Sequence, residues 1–161
     1  MAVAKNTLIY QVNRDVPAGH NGQSKAEDLV SGNWIAYHSF EHGNEIFERE
    51  ITGFELETMP TVNIDFADGR RVKCSTNQIF YKEGGTWVCH DPAITESTDV
   101  QIQVGDKCLD NTGAYVEVSA IGVVDDHELL HITYGGDWGV NDNNNYFAQG
   151  ICVGRFNRSH D

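Results

Sequence analysis

Histidines, cysteines and clustered carboxylates are the side chains that could move protons, hold metals or attack carbonyls here. The run HSFEH sets His38 and His42 four residues apart, a spacing that on a helix would put both rings on one face as zinc ligands. Strand and turn residues surround them, and four residues along a strand is too far for two rings to chelate together. Both are expected to be surface histidines. Cys89-His90 could add ligands from elsewhere, but no metal and no cofactor is expected. The segment DWGVNDNNNY is rich in oxygen side chains, yet it lacks the ordered carboxylates and closing Glu of a calcium loop, and it reads as a solvated loop. DDHELLH offers a carboxylate–histidine dyad, with Asp125, Asp126 and His127 read as a hairpin tip and His131 as a strand residue. Cys74, Cys89, Cys108 and Cys152 lie far apart without a CxxC. Two disulfides could be drawn among them, but nothing signals an oxidising compartment, so reduced, buried thiols are expected. Trp34, Trp87 and Trp138 are expected to pack or anchor loops.

The elements that must position these groups are strands. TLIYQV, NWIAYHSF, EIFEREIT, TVNIDFA, RRVKCS, QIFYK, TWVCH, VQIQV, KCLD, AYVEVSAIGVV, ELLHITYG and YFAQGICVGRF alternate with period two or form short apolar runs. Between them stand Gly, Asn and Asp turns, among them ADGR, KEGGT and DNTGA. ADGR between TVNIDF and RVKCS predicts a hairpin. Only SKAEDLV reads as helical, with Ser24 as a cap. Strands this numerous predict one all-β domain of residues 1–161, compact and highly curved, with 154–161 as a C-terminal tail.

Composition excludes several functions. The 161 residues carry 11 Lys and Arg against 24 Asp and Glu, a net charge of −13. Nucleic acid demands a basic stripe, and anionic membranes are disfavoured for the same reason. The opening MAVAKNTLIYQVNRD has no apolar run behind a basic segment, so no signal peptide is expected. No window reaches the roughly 18 apolar residues of a membrane span.

Three segments resemble the Hint domains, the fold shared by inteins and hedgehog autoprocessing domains. TVNIDFADGRRVKCSTNQIFYKEGGTWV is similar to the family's hairpin-plus-signature block: strand, Asp-Gly turn, strand, then Thr-x-x-His and an aromatic. VQIQVGDKCLDNTGAYVEVSAIGVV resembles its Val-Gly-Asp strand, turn and following strand. NNYFAQGICV is similar to an intein's end, where Asn-Tyr-Phe-Ala-Asn-Gly-Ile-Leu-Val precedes a terminal His-Asn. AVAKNTLIY can be laid on the opening, where a catalytic Cys leads into the first strands.

In that family a Cys or Ser attacks the preceding carbonyl, while a Thr and His polarise the amide and shuttle its proton. A late-strand Asp and a late His assist, and a terminal Asn cyclises. Laid on this sequence, the nucleophile position falls on Ala2, which has no reactive group. The Thr falls on Ser75, and the signature His on Gln78, which cannot carry a proton near neutral pH. The late-strand Asp falls on His131 and the late His on Asn144. The terminal His-Asn falls on Gly154-Arg155; Asn157 is the nearest Asn, with no Ser, Thr or Cys behind it. An altered active intein would explain Ala2, but not Gln78 or the missing terminal Asn.

The resemblance therefore implies a scaffold without its reactive groups. The expectation is a non-catalytic structural or protein-interaction module whose edge strands and tails pair with other subunits in an oligomeric assembly. Resemblance and acidic composition together point to a bacteriophage virion or assembly component, in the host cytoplasm during assembly. The alternatives are an autoprocessing domain and a small β-barrel that binds a ligand.

Overall fold

The structure, a computed structural model, describes residues 1–11, 23–40, 45–92, 98–134 and 144–154. Two long strands set its frame. β5 (Glu45–Phe66) and β10 (Tyr115–Tyr134) pair antiparallel from Ile51–Tyr134 to Phe66–Val118. Each absorbs two runs that alternation alone separates, EIFEREIT with TVNIDFA and AYVEVSAIGVV with ELLHITYG. Asp125 and Asp126 are not a hairpin tip. They form a bulge inside β10, where the register shifts between Val124 and His127. The cause lies across the ladder. Pro60 stands between Thr61 and Met59, the partners of Val124 and His127. It has no N–H to donate, and a bulge accommodates that gap. The His127 amide donates instead to the Thr61 hydroxyl, 3.2 Å away.

β1 (Val3–Ala4) lies between β10 and β6 (Arg71–Ser75), with Val3 opposite Leu130 and Cys74. β6 pairs with β5 through the ADGR turn, so β10, β1, β6 and β5 close into a ring. β4 (Trp34–Ser39) extends β5 outward. The remaining strands continue from β10: β9 (Lys107–Leu109), β7 (Ile79–Lys82), β12 (Ile151–Gly154), β11 (Asn145–Ala148), β2 (Leu8–Tyr10) and β3 (Gln23–Lys25), with β8 (Thr86–Val88) beside β7. The all-β, highly curved architecture is as expected, while VQIQV forms only one bridge, Gln101 to Cys89. SKAEDLV yields a single 3-10 turn, Ala26–Asp28, and Ser24 does not cap it. Ser24 sits in β3 and gives its hydroxyl proton to Gln11.

Alternation assigns the faces. Val3, Val62, Ile64, Val72, Cys74 and Leu130 enter one apolar cluster, each large side chain contributing about 1.5–3 kcal/mol of burial. Their sequence neighbours Ala2, Ala4 and Leu129 form a small cluster on the opposite face, with Met59 against it. All four cysteines are buried thiols outside any disulfide, as expected.

YFAQGICVGRF is a hairpin rather than one strand. Gln149 (φ 53°) and Gly150 (φ 76°) form a two-residue turn between β11 and β12, the left-handed pair that tight hairpins prefer. Arg70 fastens this turn to the ADGR turn: its Nη1 donates to the Gln149 carbonyl at 3.2 Å and its Nη2 meets Asp68 and Asp110 at 2.7 and 3.0 Å. Gly154 is a residue of β12, so the chain is still in the sheet at the position expected to start a tail. Among the described residues, no helix is long and apolar enough to cross a membrane.

Candidate functional site

β1 runs between β6 and β10 with Val3 and Cys74 turned to the main core, and the period of two then places Ala2 and Ser75 together on the other face. Both are fully enclosed, at 0% and 1% exposure. The Ala2 amide donates to Ser75 Oγ at 2.9 Å, and the Ser75 amide donates to the Ala2 carbonyl at 2.9 Å. The hydroxyl thus meets the amide nitrogen at the position that the resemblance assigns to bond cleavage. The methyl of Ala2 offers no nucleophile there; it packs with Ala4 and Leu129.

Gln78 follows a turn closed by its amide on the Ser75 carbonyl at 3.0 Å. Its Nε2 donates to the Gly154 carbonyl at 2.6 Å and to the Ile79 carbonyl at 3.2 Å. Its Oε1 is buried without a hydrogen-bond partner. Gly154 is tightly held: an added Cβ would stand 2.7 Å from Ile79 Cδ1 and 2.9 Å from Trp87 Cζ3. At the position where the resemblance places the proton-shuttling His, an amide ties the start of β7 to the last described strand.

His131 lies two residues beyond Leu129 on β10, on the Ala2 face, paired with Glu55. Its Nε2 is 3.3 Å from Glu57 Oε1, an ion-pair distance without hydrogen-bond alignment. Burial pulls its pKa below the ordinary value, helped by the Met1 amino group, while Glu57 and Glu55 pull the other way. It is the one titratable group among the described residues expected at this site. Glu57 could not be picked from the sequence, because its approach to His131 depends on the β5–β10 register.

Asn144 is enclosed, and its Oδ1 accepts from Arg49 Nη1 at 3.4 Å. That guanidinium stacks over Tyr37 at 3.7 Å and Tyr134 at 4.9 Å from the ring centroids. The structure thus places Asn144 in an arginine–aromatic cluster. Its neighbour Asn145 makes two bonds to the His38 backbone, accepting from the amide at 2.8 Å and donating to the carbonyl at 2.9 Å. His38 is therefore buried in β4, with its ring 4.5 Å from that of Phe40, and is not a surface residue. Arg155, Asn157, His42, Trp138 and most of DWGVNDNNNY lie outside the described residues.

The thiols are not poised for attack. Burial pushes Cys89 up to about 11 and Cys108 up to about 12, and raises Cys74 as well, leaving them protonated near neutral pH. No group of three or more metal-ligating side chains occurs among the described residues. Trp87 is buried, edge-on to Tyr81 with ring centroids 5.2 Å apart.

Neither a family model nor a curated protein matches the chain by sequence. Solved structures match over nearly the whole chain. The gp41-1 intein aligns with a TM-score of 0.70 at 14% identity, covering 96% of this chain and 98% of its own. A DnaB intein from Synechocystis sp. PCC 6803 aligns with a TM-score of 0.70 at 15% identity, covering 95% and 96%. A bacterial intein-like domain from Clostridium thermocellum aligns with a TM-score of 0.68 at 17% identity, covering 96% and 97%. The ringed frame, the Ala2–Ser75 contact and these alignments converge: the protein has the Hint fold of inteins and intein-like domains.

Proposed function

We propose that the protein is a non-catalytic Hint-like module with a structural or protein-binding role, a component of a bacteriophage virion or of its assembly in the host cytoplasm. One observation carries this reading. At the position that the resemblance assigns to the attacking side chain stands the Ala2 methyl, and at the one it assigns to the proton carrier stands the Gln78 amide, bonded to Gly154. A carboxamide cannot exchange a proton near neutral pH, and a methyl cannot form an ester or thioester. The hydrogen bonds of Ser75 and Gln78 serve to hold strands. With chemistry gone, a sheet of this size supports binding to other protein subunits.

A second reading, residual autoprocessing, draws on His131 and Glu57. They form a titratable pair on the Ala2 face, and the aligned gp41-1 and DnaB proteins are inteins. The experiment separating the two is a fusion of the chain between two reporter domains, incubated with and without a thiol and with hydroxylamine. The proposal expects all three parts to stay joined. Release of either reporter supports autoprocessing.

A further inference from the structure

A groove of about 390 Å³ opens where the 3-10 turn leans on the β5–β10 ribbon. Leu29, Phe54, Leu56 and Leu130 line it. Leu130 and Leu29 belong to the main core, and Phe54 packs on it, so the floor is fixed by the fold. Leu56, by contrast, is 51% exposed, and Val30, next to Leu29 in sequence, is 59% exposed. Leu56 carries the packed floor out to the surface as one continuous apolar patch, the form that recognition surfaces take.

The chain segments around the groove are acidic. Glu27 and Asp28 lie on the turn and are exposed, and Glu27 lines the groove; Glu55 and Glu57 flank Leu56 in sequence, with their side chains on the His131 face of β5. Among the described residues the one cation lining it, Lys5, holds Glu128 at 3.1 Å. The net charge of −13 adds a long-range field of the same sign. This field repels acidic segments and steers basic ones.

Strand addition at β4 is closed by comparison. Asn145 occupies both backbone groups of His38, and Gln11 Nε2 donates to the Trp34 carbonyl at 2.9 Å. Side-chain amides thus take the backbone positions that an added strand would need. With these positions of the β4 edge occupied, the groove offers recognition through a face.

We infer that this groove docks a basic segment of a protein partner, seating one or two bulky apolar side chains against Leu56, Phe54 and Leu130 while flanking Lys or Arg residues meet Glu27 and Asp28. This rests on the reading of the protein as an interaction module and names the chemistry of its partner.

The test uses a fluorescein-labelled peptide, Gly-Lys-Lys-Leu-Phe-Lys-Lys-Gly, titrated with the full chain and followed by anisotropy and by amide chemical shifts. Binding should shift the amides of residues 26–30 and 54–57. Replacing Leu-Phe by Gly-Gly, or Lys by Glu, should weaken it at least tenfold. Leu56→Asp should weaken it at least tenfold, and Glu27→Lys with Asp28→Lys at least fivefold, while both variants keep the parent melting temperature to within a few degrees. The docking assignment is overturned if the peptide does not bind, if Gly-Gly and Leu-Phe peptides bind alike, or if Leu56→Asp binds as the parent does. It is also overturned if sedimentation shows self-association that Leu56→Asp abolishes, which would give the groove to a second copy of the chain. Intact mass is checked in every sample. Loss of peptide binding then counts against the groove alone, and shortening of the chain against the non-catalytic reading alone.

Discussion

Ser75 Oγ accepts the proton of a backbone amide that has no route to water. Ala2 is fully enclosed, so deleting the hydroxyl leaves a buried donor unpaired, at a cost of about 1–3 kcal/mol. Ser75→Ala should lower stability by that amount in a urea titration, and Ser75→Thr, which keeps the oxygen, should recover most of it. His131 gives a pH signature. Its pKa is lowered in the folded state, chiefly by burial, so the unfolded chain binds the proton more tightly. Stability from this group is fully present above the unfolded value of about 6.5 and is lost as pH falls through the lower folded value. Urea midpoints should therefore drop between pH 7 and pH 5, and His131→Gln should flatten that slope. The carboxylates Asp65, Asp68 and Asp110, lowered by Arg71, Arg70 and Thr112 hydrogen bonds, act only below about pH 4 and leave the His131 window clear.

At the scale of elements, the turn between β11 and β12 is the joint on which the C-terminal hairpin depends. Gly150 has a φ of 76°, and a Cβ there would stand 2.6 Å from Arg70 Nη1 and 2.9 Å from Asn111 Oδ1. Arg70 is not free to step aside, because Asp68 and Asp110 hold it. Gly150→Ala should cost about 1–3 kcal/mol, read as a fall in melting temperature of roughly 2–4 °C per kcal/mol. This turn also shows what the sequence conceals. ADGR was legible because Asp-Gly is a turn pair with a mechanism, and Asp68 Oδ1 does accept from the Arg70 amide. Gln149 is not a turn residue by type, and apolar neighbours on both sides made the hairpin read as one strand. The bulge at Asp125 and Asp126 was hidden for another reason. It answers a missing donor at Pro60, 65 positions from Asp125 in the chain, and only the register brings the two together. His38 was misjudged likewise, since its burial depends on Asn145 reaching across from β11.

For the whole molecule, a chain 14–15% identical to two inteins and 17% identical to an intein-like domain shares their fold. The order of the blocks made that frame readable, because Hint strands follow one another with recognisable turns. Ala2, Ser75 and Gln78 lie in those blocks, and the strands join Ala2 to Ser75 and Gln78 to Gly154; the contacts of Glu57 and Arg49 arise from pairing between distant strands and do not show in the sequence. The account's central claim is that the frame remains while the atoms that cut are gone. The direct measurement is intact-mass spectrometry over a day of incubation with a thiol, on the chain fused behind a reporter domain, beside its Ala2→Cys, Gln78→His double variant. The account predicts an unchanged parent mass and thiol-dependent release of the reporter from the double variant. Release from the parent chain at a comparable rate would contradict it.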